Sequence, residues 1–254
     1  MTTVQDIYDN LCALAPVEKQ MSFDNAGFLL GHSDAAVNKV LLSLDITGKV
    51  ISEAENIGAQ LIVSHHPIIF TPVRSVTDSV GSRKILRMAE DHIAAICMHT
   101  NLDIAEGGVN DVLISLLGAV SEAPLDAGGC GRIGMLEGEM SLFCFLIRVK
   151  KRLKTKGLRF YDAGKQVRKI AVMGGSGGDC IEEAAEKGCD TYVTADIKYH
   201  QFLSAAELGI NLVDAGHFCT ENPIIPVLAK RLSKDFPDVS FTVSKVNGPI
   251  IDFA

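Results

Sequence analysis

The chain has 254 residues, a formal net charge of -7 and 47% hydrophobic residues. That length allows one large domain or two small ones, and the acidic balance argues against general nucleic-acid binding, which draws on a basic surface. No apolar run approaches the ~20 residues that cross a bilayer, and Met1-Thr2-Thr3-Val4-Gln5-Asp6 lacks the basic-then-apolar pattern of a signal peptide, so a soluble, cytoplasmic protein is expected.

In chain order, residues 3–14 read as a helix capped by Thr3, with Val4, Ile7, Leu11 and Leu14 as one stripe and Pro16 ending it. Val40 to Leu44 reads as a strand. A helix follows, capped by Thr47 and closed by Gly58, and then a strand at Leu61 to Val63, which completes a βαβ unit. A helix near 82–91, a strand at 93–98 and a helix at 109–117 come next. The glycine-rich stretch 121–138 reads as a junction. Ser141 caps a helix carrying Leu142, Phe145, Leu146, Val149 and Leu153.

A second run begins near 158. It comprises a strand from Ile170 to Met173, a glycine loop at 174–178, a helix at 179–187, a strand at 191–194, a helix at about 200–208 and a strand at 210–213. Pro223 opens a helix to about 233, and a last strand covers 239–244. Alternating strands and helices indicate an α/β fold with largely parallel sheets. Sliding the chain by 130 positions matches Ile51, Glu53, Ala54, Gly58 and Val63 to identical residues, and places Asp196 opposite His66. This hints at two similar βαβ lobes, taken as residues 1–125 and 126–254 with some elements shared.

The seven cysteines occur singly, without a Cys-x-x-Cys, which argues against a structural zinc cage and for reduced thiols in the core. Six basic residues between Arg148 and Lys156 read as a solvated helix end or a local basic patch.

Potential ligands gather just beyond strand ends, where open α/β sheets bind their ligands. His65 and His66 follow the strand at 61–63, Asp103 follows 93–98, and His217 and Glu221 follow 210–213. Three imidazoles and two carboxylates suit zinc, iron, manganese or nickel better than calcium. Five ligands exceed the need of one tetrahedral ion, and bridging carboxylates can hold two ions ~3.5–4 Å apart. Each piece has a plainer reading. His65-His66-Pro67 can be a loop, Asp103 a cap, and His217 with Glu221 a local hydrogen-bonded pair. Asp196 and His200 read either as an orienting carboxylate and a general acid/base, or as a helix start. His99 reads as a ligand or a supporting partner. The loop Gly174-Gly175-Ser176-Gly177-Gly178 reads as a phosphate cradle or a tight turn.

Asp24-Asn25-Ala26-Gly27, Ser64-His65-His66-Pro67, His99-Thr100-Asn101-Leu102-Asp103, Asp196-Ile197-Lys198-Tyr199-His200 and Gly216-His217-Phe218-Cys219-Thr220-Glu221 together resemble the GTP cyclohydrolase I type 2, or NIF-three-like, family. The motifs span residues 24–221 in the family's order. The resemblance implies a two-lobed α/β subunit whose dinuclear centre lies at the lobe interface, with His65, His66, Asp103, His217 and Glu221 as metal ligands. It also implies a ring-shaped homohexamer with GTP as candidate small-molecule substrate. The chain departs from the pattern at Phe23, where the family often has Trp, and at Ala195, where it often has Gly. The expectation is a metal-dependent hydrolase holding two divalent ions, with Asp196 and His200 assisting proton transfer. The alternatives are a metal-storing or metal-delivering protein without turnover, or a regulatory ring.

Overall fold

The computed structural model describes residues 1–253, and these form two compact units. One comprises Met1–Ala105 and Ile224–Gly248; the other comprises Glu106–Pro223 and the tail from Pro249. The units therefore differ from a single cut at 125/126. Ala105 ends the first unit's opening segment, and that unit later takes back a helix and a strand from beyond Pro223.

In the first unit, α1 (Val4–Leu14) is followed by β1 (Gly27–Leu30), β2 (Lys39–Ser43), α2 (Gly48–Ile57), β3 (Leu61–Ser64), α3 (Arg83–Glu90), β4 (Ala94–Cys97) and α4 (Thr100–Ile104). The sheet order is β1-β4-β3-β2 and then β11 (Ser240–Val243), which is returned by α10 (Ile224–Asp235). All neighbours are parallel except β1, which runs against β4. Every residue of β3 and β4 is buried, so both read as unbroken apolar runs, as expected for strands covered on two faces. In register, Leu41, Ile62 and Ala95 share one face with Val50, Ile51 and Ala54 of α2 and Met88 of α3.

The second unit contains α5 (Val109–Leu117), β5 (Ala119–Ala123), β6 (Arg132–Met140), α6 (Leu142–Leu153), β7 (Arg159–Tyr161), β8 (Val167–Ser176), α7 (Ile181–Glu186), β9 (Thr191–Ala195), α8 (Tyr199–Leu208), β10 (Asn211–Asp214) and α9 (His217–Glu221). Its six-stranded sheet runs β5-β6-β8-β9-β10-β7. The central β8, β9 and β10 are parallel, and β6 and β7 are antiparallel to their neighbours. Ile170, Val172, Val193 and Val213 face Leu113 of α5 and Phe145 and Val149 of α6 in one core. The stretch expected as a junction is instead the β5–β6 pair.

The suspected duplication is visible in topology. β1-β2-α2-β3-α3-β4-α4 and β7-β8-α7-β9-α8-β10-α9 repeat the same order, each with an antiparallel strand outside the last parallel one. Half of the basic run falls in the last turn of α6, where Lys150, Lys151 and Arg152 meet the negative end of the helix dipole.

Candidate metal centre

In the first unit, β3 delivers His65 and His66 through a pinned turn. His65 N–H donates to the Ser43 carbonyl, His66 N–H to the Leu44 carbonyl, and the Ser64 hydroxyl to the His66 carbonyl. His65 is fully buried. Its Nδ1 lies 2.8 Å from the Met98 carbonyl, so Nδ1 carries the proton. Nε2 then points to the buried Asp103 on α4, 3.7 Å from Oδ1. His66 Nδ1 pairs with Asp45 Oδ1 at 2.7 Å, and His99 Nδ1 with Asp24 Oδ1 at 2.7 Å. Ligand atoms of His65, His66 and His99 lie within 4.8 Å of one another. Burial works to raise the Asp24 carboxyl, but hydrogen bonds from His99 and Thr100 outweigh it and hold it down at about 2. Phe70 stands edge-on to His99 at 6.2 Å between centroids, and Phe23 leans on Phe70 at 6.4 Å.

In the second unit, β10 ends at Asp214 and the chain turns through Gly216 (φ 84°) into α9. His217 Nε2 and Glu221 Oε2, one turn apart, are separated by 3.0 Å. His217 Nδ1 bonds Asp196 Oδ2 at 2.7 Å. Burial pulls the His217 pKa down, yet the hydrogen bond and charge of Glu221, followed by those of Asp196, carry it up to about 9. Gly175 makes the room this pair occupies. Its φ is +66°, and a Cβ there would stand 2.1 Å from Glu221 Oε1 and 3.2 Å from His217 Nε2.

Each unit thus places a histidine at the start of a five-residue helix after its last parallel strand, His99 capping α4 and His217 opening α9, with a carboxylate on that helix four residues later. His99 and Asp103 match His217 and Glu221. In all four histidines Nδ1 is tied to a carboxylate or a carbonyl, which directs Nε2 to act as donor and is the usual support of a metal-ligating imidazole. Donors ~2.0–2.2 Å from one ion stand roughly 3–4 Å apart. The 3.7 Å and 3.0 Å pairs fit that spacing, and the donor set is nitrogen and oxygen without thiolate.

His65, His66 and Asp103 come together in the first unit, joined by His99; His217 and Glu221 come together in the second. Asp196 supports the His217 ring. His200 lies exposed in the first turn of α8, and its side chain makes no hydrogen bond among the described residues. Asp24 and Asp45 escaped the reading of the sequence as orienting carboxylates. Asp24 sits in the quoted Asp24-Asn25-Ala26-Gly27 motif, and Asp45 lies two residues past the end of β2, the kind of position that marked the other ligands. The glycine segment is not a phosphate cradle. The amides of Gly174, Gly175 and Gly177 donate to Asn110 Oδ1, Thr220 Oγ1 and Thr194 Oγ1, and β8 runs on through Ser176.

The chain resembles known proteins over nearly its whole length. The chain is 36% identical over 251 residues to a "GTP cyclohydrolase 1 type 2 homolog" of Clostridium perfringens, covering 95% of this chain and 96% of that protein. A Campylobacter jejuni protein of the same description is 37% identical over 246 residues, covering 95% and 97%. Among solved structures, a Staphylococcus aureus hypothetical protein superposes with a TM-score of 0.91 at 27% identity over 99% of each chain. Reduced HcgD from Methanocaldococcus jannaschii does so at 0.85 and 31% identity, covering 96% of this chain and 98% of that one. The profile of Duf34/NIF3 (NGG1p interacting factor 3) matches residues 2–249, and the chain belongs to that family.

Proposed function

We propose that this chain binds two divalent ions through His65, His66 and Asp103 of one unit and His217 and Glu221 of the other, with His99 beside the first group, and that it uses them for hydrolysis. The observation that carries the reading is the shared support of the four imidazoles, each with Nδ1 held by a fixed acceptor. The candidate reaction is the ring-opening of GTP, brought forward by relatives described as GTP cyclohydrolase 1 type 2 homologs. That reaction needs a water attacking C8 and a proton for the departing nitrogen. Divalent ions of the zinc, iron, manganese or nickel type would supply Lewis-acid activation of the water. Asp196 holds the His217 ring in its donor orientation, and His200 is assigned the proton transfer to the leaving nitrogen. A ring-shaped homohexamer is part of the same reading, and sedimentation of the intact protein at the mass of about six chains is its expected signature.

The test is metal content by elemental mass spectrometry on untagged protein prepared without chelator. About two transition-metal ions per chain are expected, with a clear loss in His66→Ala. GTP turnover should vanish in that variant and fall by roughly a hundredfold in His200→Gln. No metal in the wild type, even after reconstitution with all four candidate metals, would overturn the reading. Metal binding without turnover of GTP or phosphoesters would instead point to a metal-storing or metal-delivering protein.

A further inference from the structure

We infer that Arg159 is a positioning residue for His217, acting through Asp214 and the loop that carries Asp196. Asp196 occupies left-handed backbone at φ 56°, a conformation a non-glycine residue keeps only when its surroundings hold it. The holding groups are identifiable. The Ile197 N–H donates to Asp214 Oδ2 at 3.2 Å, and Arg159 Nη2 donates to the Ile197 carbonyl at 2.8 Å. The same Arg159 nitrogen pairs with Asp214 Oδ2. The other Asp214 oxygen accepts the Gly216 N–H at 3.1 Å, one residue before His217.

One buried carboxylate therefore grips both partners of the Asp196–His217 hydrogen bond: the loop after β9 through Oδ2 and the start of α9 through Oδ1. Arg159 lies directly opposite Asp214 in the β7–β10 register. It neutralises that carboxylate, ties the loop's carbonyl to it, and rests its guanidinium 5.7 Å from the centre of the Phe202 ring. Nη2 alone serves the carboxylate and the carbonyl while the planar guanidinium packs on the Phe202 ring, whereas a lysine ammonium reproduces the charge without that planar packing surface. The Asp196–His217 distance is thereby set by a bracket that itself contributes no metal ligand.

The inference deepens the metal-site reading, and its test has one arm that does not depend on metal. In metal-free protein, the His217 Nδ1–H proton resonance should be sharp and protected in the wild type and broadened by solvent exchange in Arg159→Ala. In the second arm, cobalt(II) binding followed by absorption should weaken about tenfold or more in Arg159→Ala. The double variant Arg159→Ala/Asp196→Asn should bind cobalt no more weakly than Asp196→Asn alone, because both act along one route. Unchanged resonance and affinity in folded Arg159→Ala, or losses that multiply in the double variant, would overturn the inference. If Arg159→Ala does not fold, Arg159→Lys carries the test; an intermediate loss is expected, and wild-type behaviour overturns it. A wild type that takes up no cobalt sinks the metal reading and leaves the resonance arm decisive for Arg159.

Discussion

At the residue scale, the most constrained position near the candidate ligands is one with no side chain. At Gly175 a methyl group would collide with the Glu221 carboxylate and would also have to adopt φ +66°. Gly175→Ala is expected to cost about 1–3 kcal/mol of stability from the backbone conformation alone, read by urea denaturation. It should also displace Glu221 and lower metal content, so a variant with wild-type metal and stability would contradict the geometry. The thiols invite a separate pH prediction. Burial first, then neighbouring carboxylates, push Cys180 up to about 11, and burial likewise carries Cys189 up to about 11. A raised pKa leaves roughly one part in a thousand as thiolate at pH 8. Iodoacetamide should therefore label neither appreciably at neutral pH, with labelling rising about tenfold per pH unit toward 11. Rapid labelling of either residue at pH 7, located by peptide mass mapping, would contradict this.

At the element scale, helices with strong ends were legible from local chemistry. Thr3 and Asp6 form a reciprocal capping box on α1, with Asp6 N–H to Thr3 Oγ1 at 3.2 Å and Thr3 N–H to Asp6 Oδ2 at 2.8 Å. Thr3→Ala should cost about 1 kcal/mol and leave metal content untouched, since α1 carries no candidate ligand. Loss of metal in that variant would show a coupling the local structure does not contain. Thr47 and Gly58 bound α2 as expected from the sequence. The elements that were missed are strands whose signal is weak for a physical reason. β5 buries only Ala119 and shows no alternation. Gly134 of β6, which reads as a linker residue, is needed because a Cβ there would stand 2.2 Å from the Val120 carbonyl oxygen. α9 was also not anticipated, since five residues ending just before Pro223 give too few positions for a helical period.

At the scale of the whole molecule, the repeat and the division into units explain the candidate ligands' placement in sequence. Each unit offers the ends of its parallel strands, and each supplies a His-x-x-x-carboxylate segment at the start of the short helix after the last one. The first unit is completed only by α10 and β11, and β11 pairs with β2 from Ser240 to Val243. A fragment of residues 1–105, or 1–125, is therefore expected to lack cooperative thermal unfolding by circular dichroism, because the β2 edge and its apolar face stay bare. A fragment that melts cooperatively would show the returning segment to be dispensable. Sequence by itself determined the α/β class, most helix limits, the internal repeat, and which histidines and carboxylates stand at strand ends. Those are local properties, written in periodicity, caps and residue type. Only tertiary structure decided that Asp24, Asp45 and Asp196 hold imidazole rings, that Arg159 and Asp214 brace a strained loop, and that the chain re-enters its first unit after Pro223. Those partners lie 17 to 75 residues from what they hold, and the pairing of distant groups is set by sheet order and register, which a local pattern does not encode.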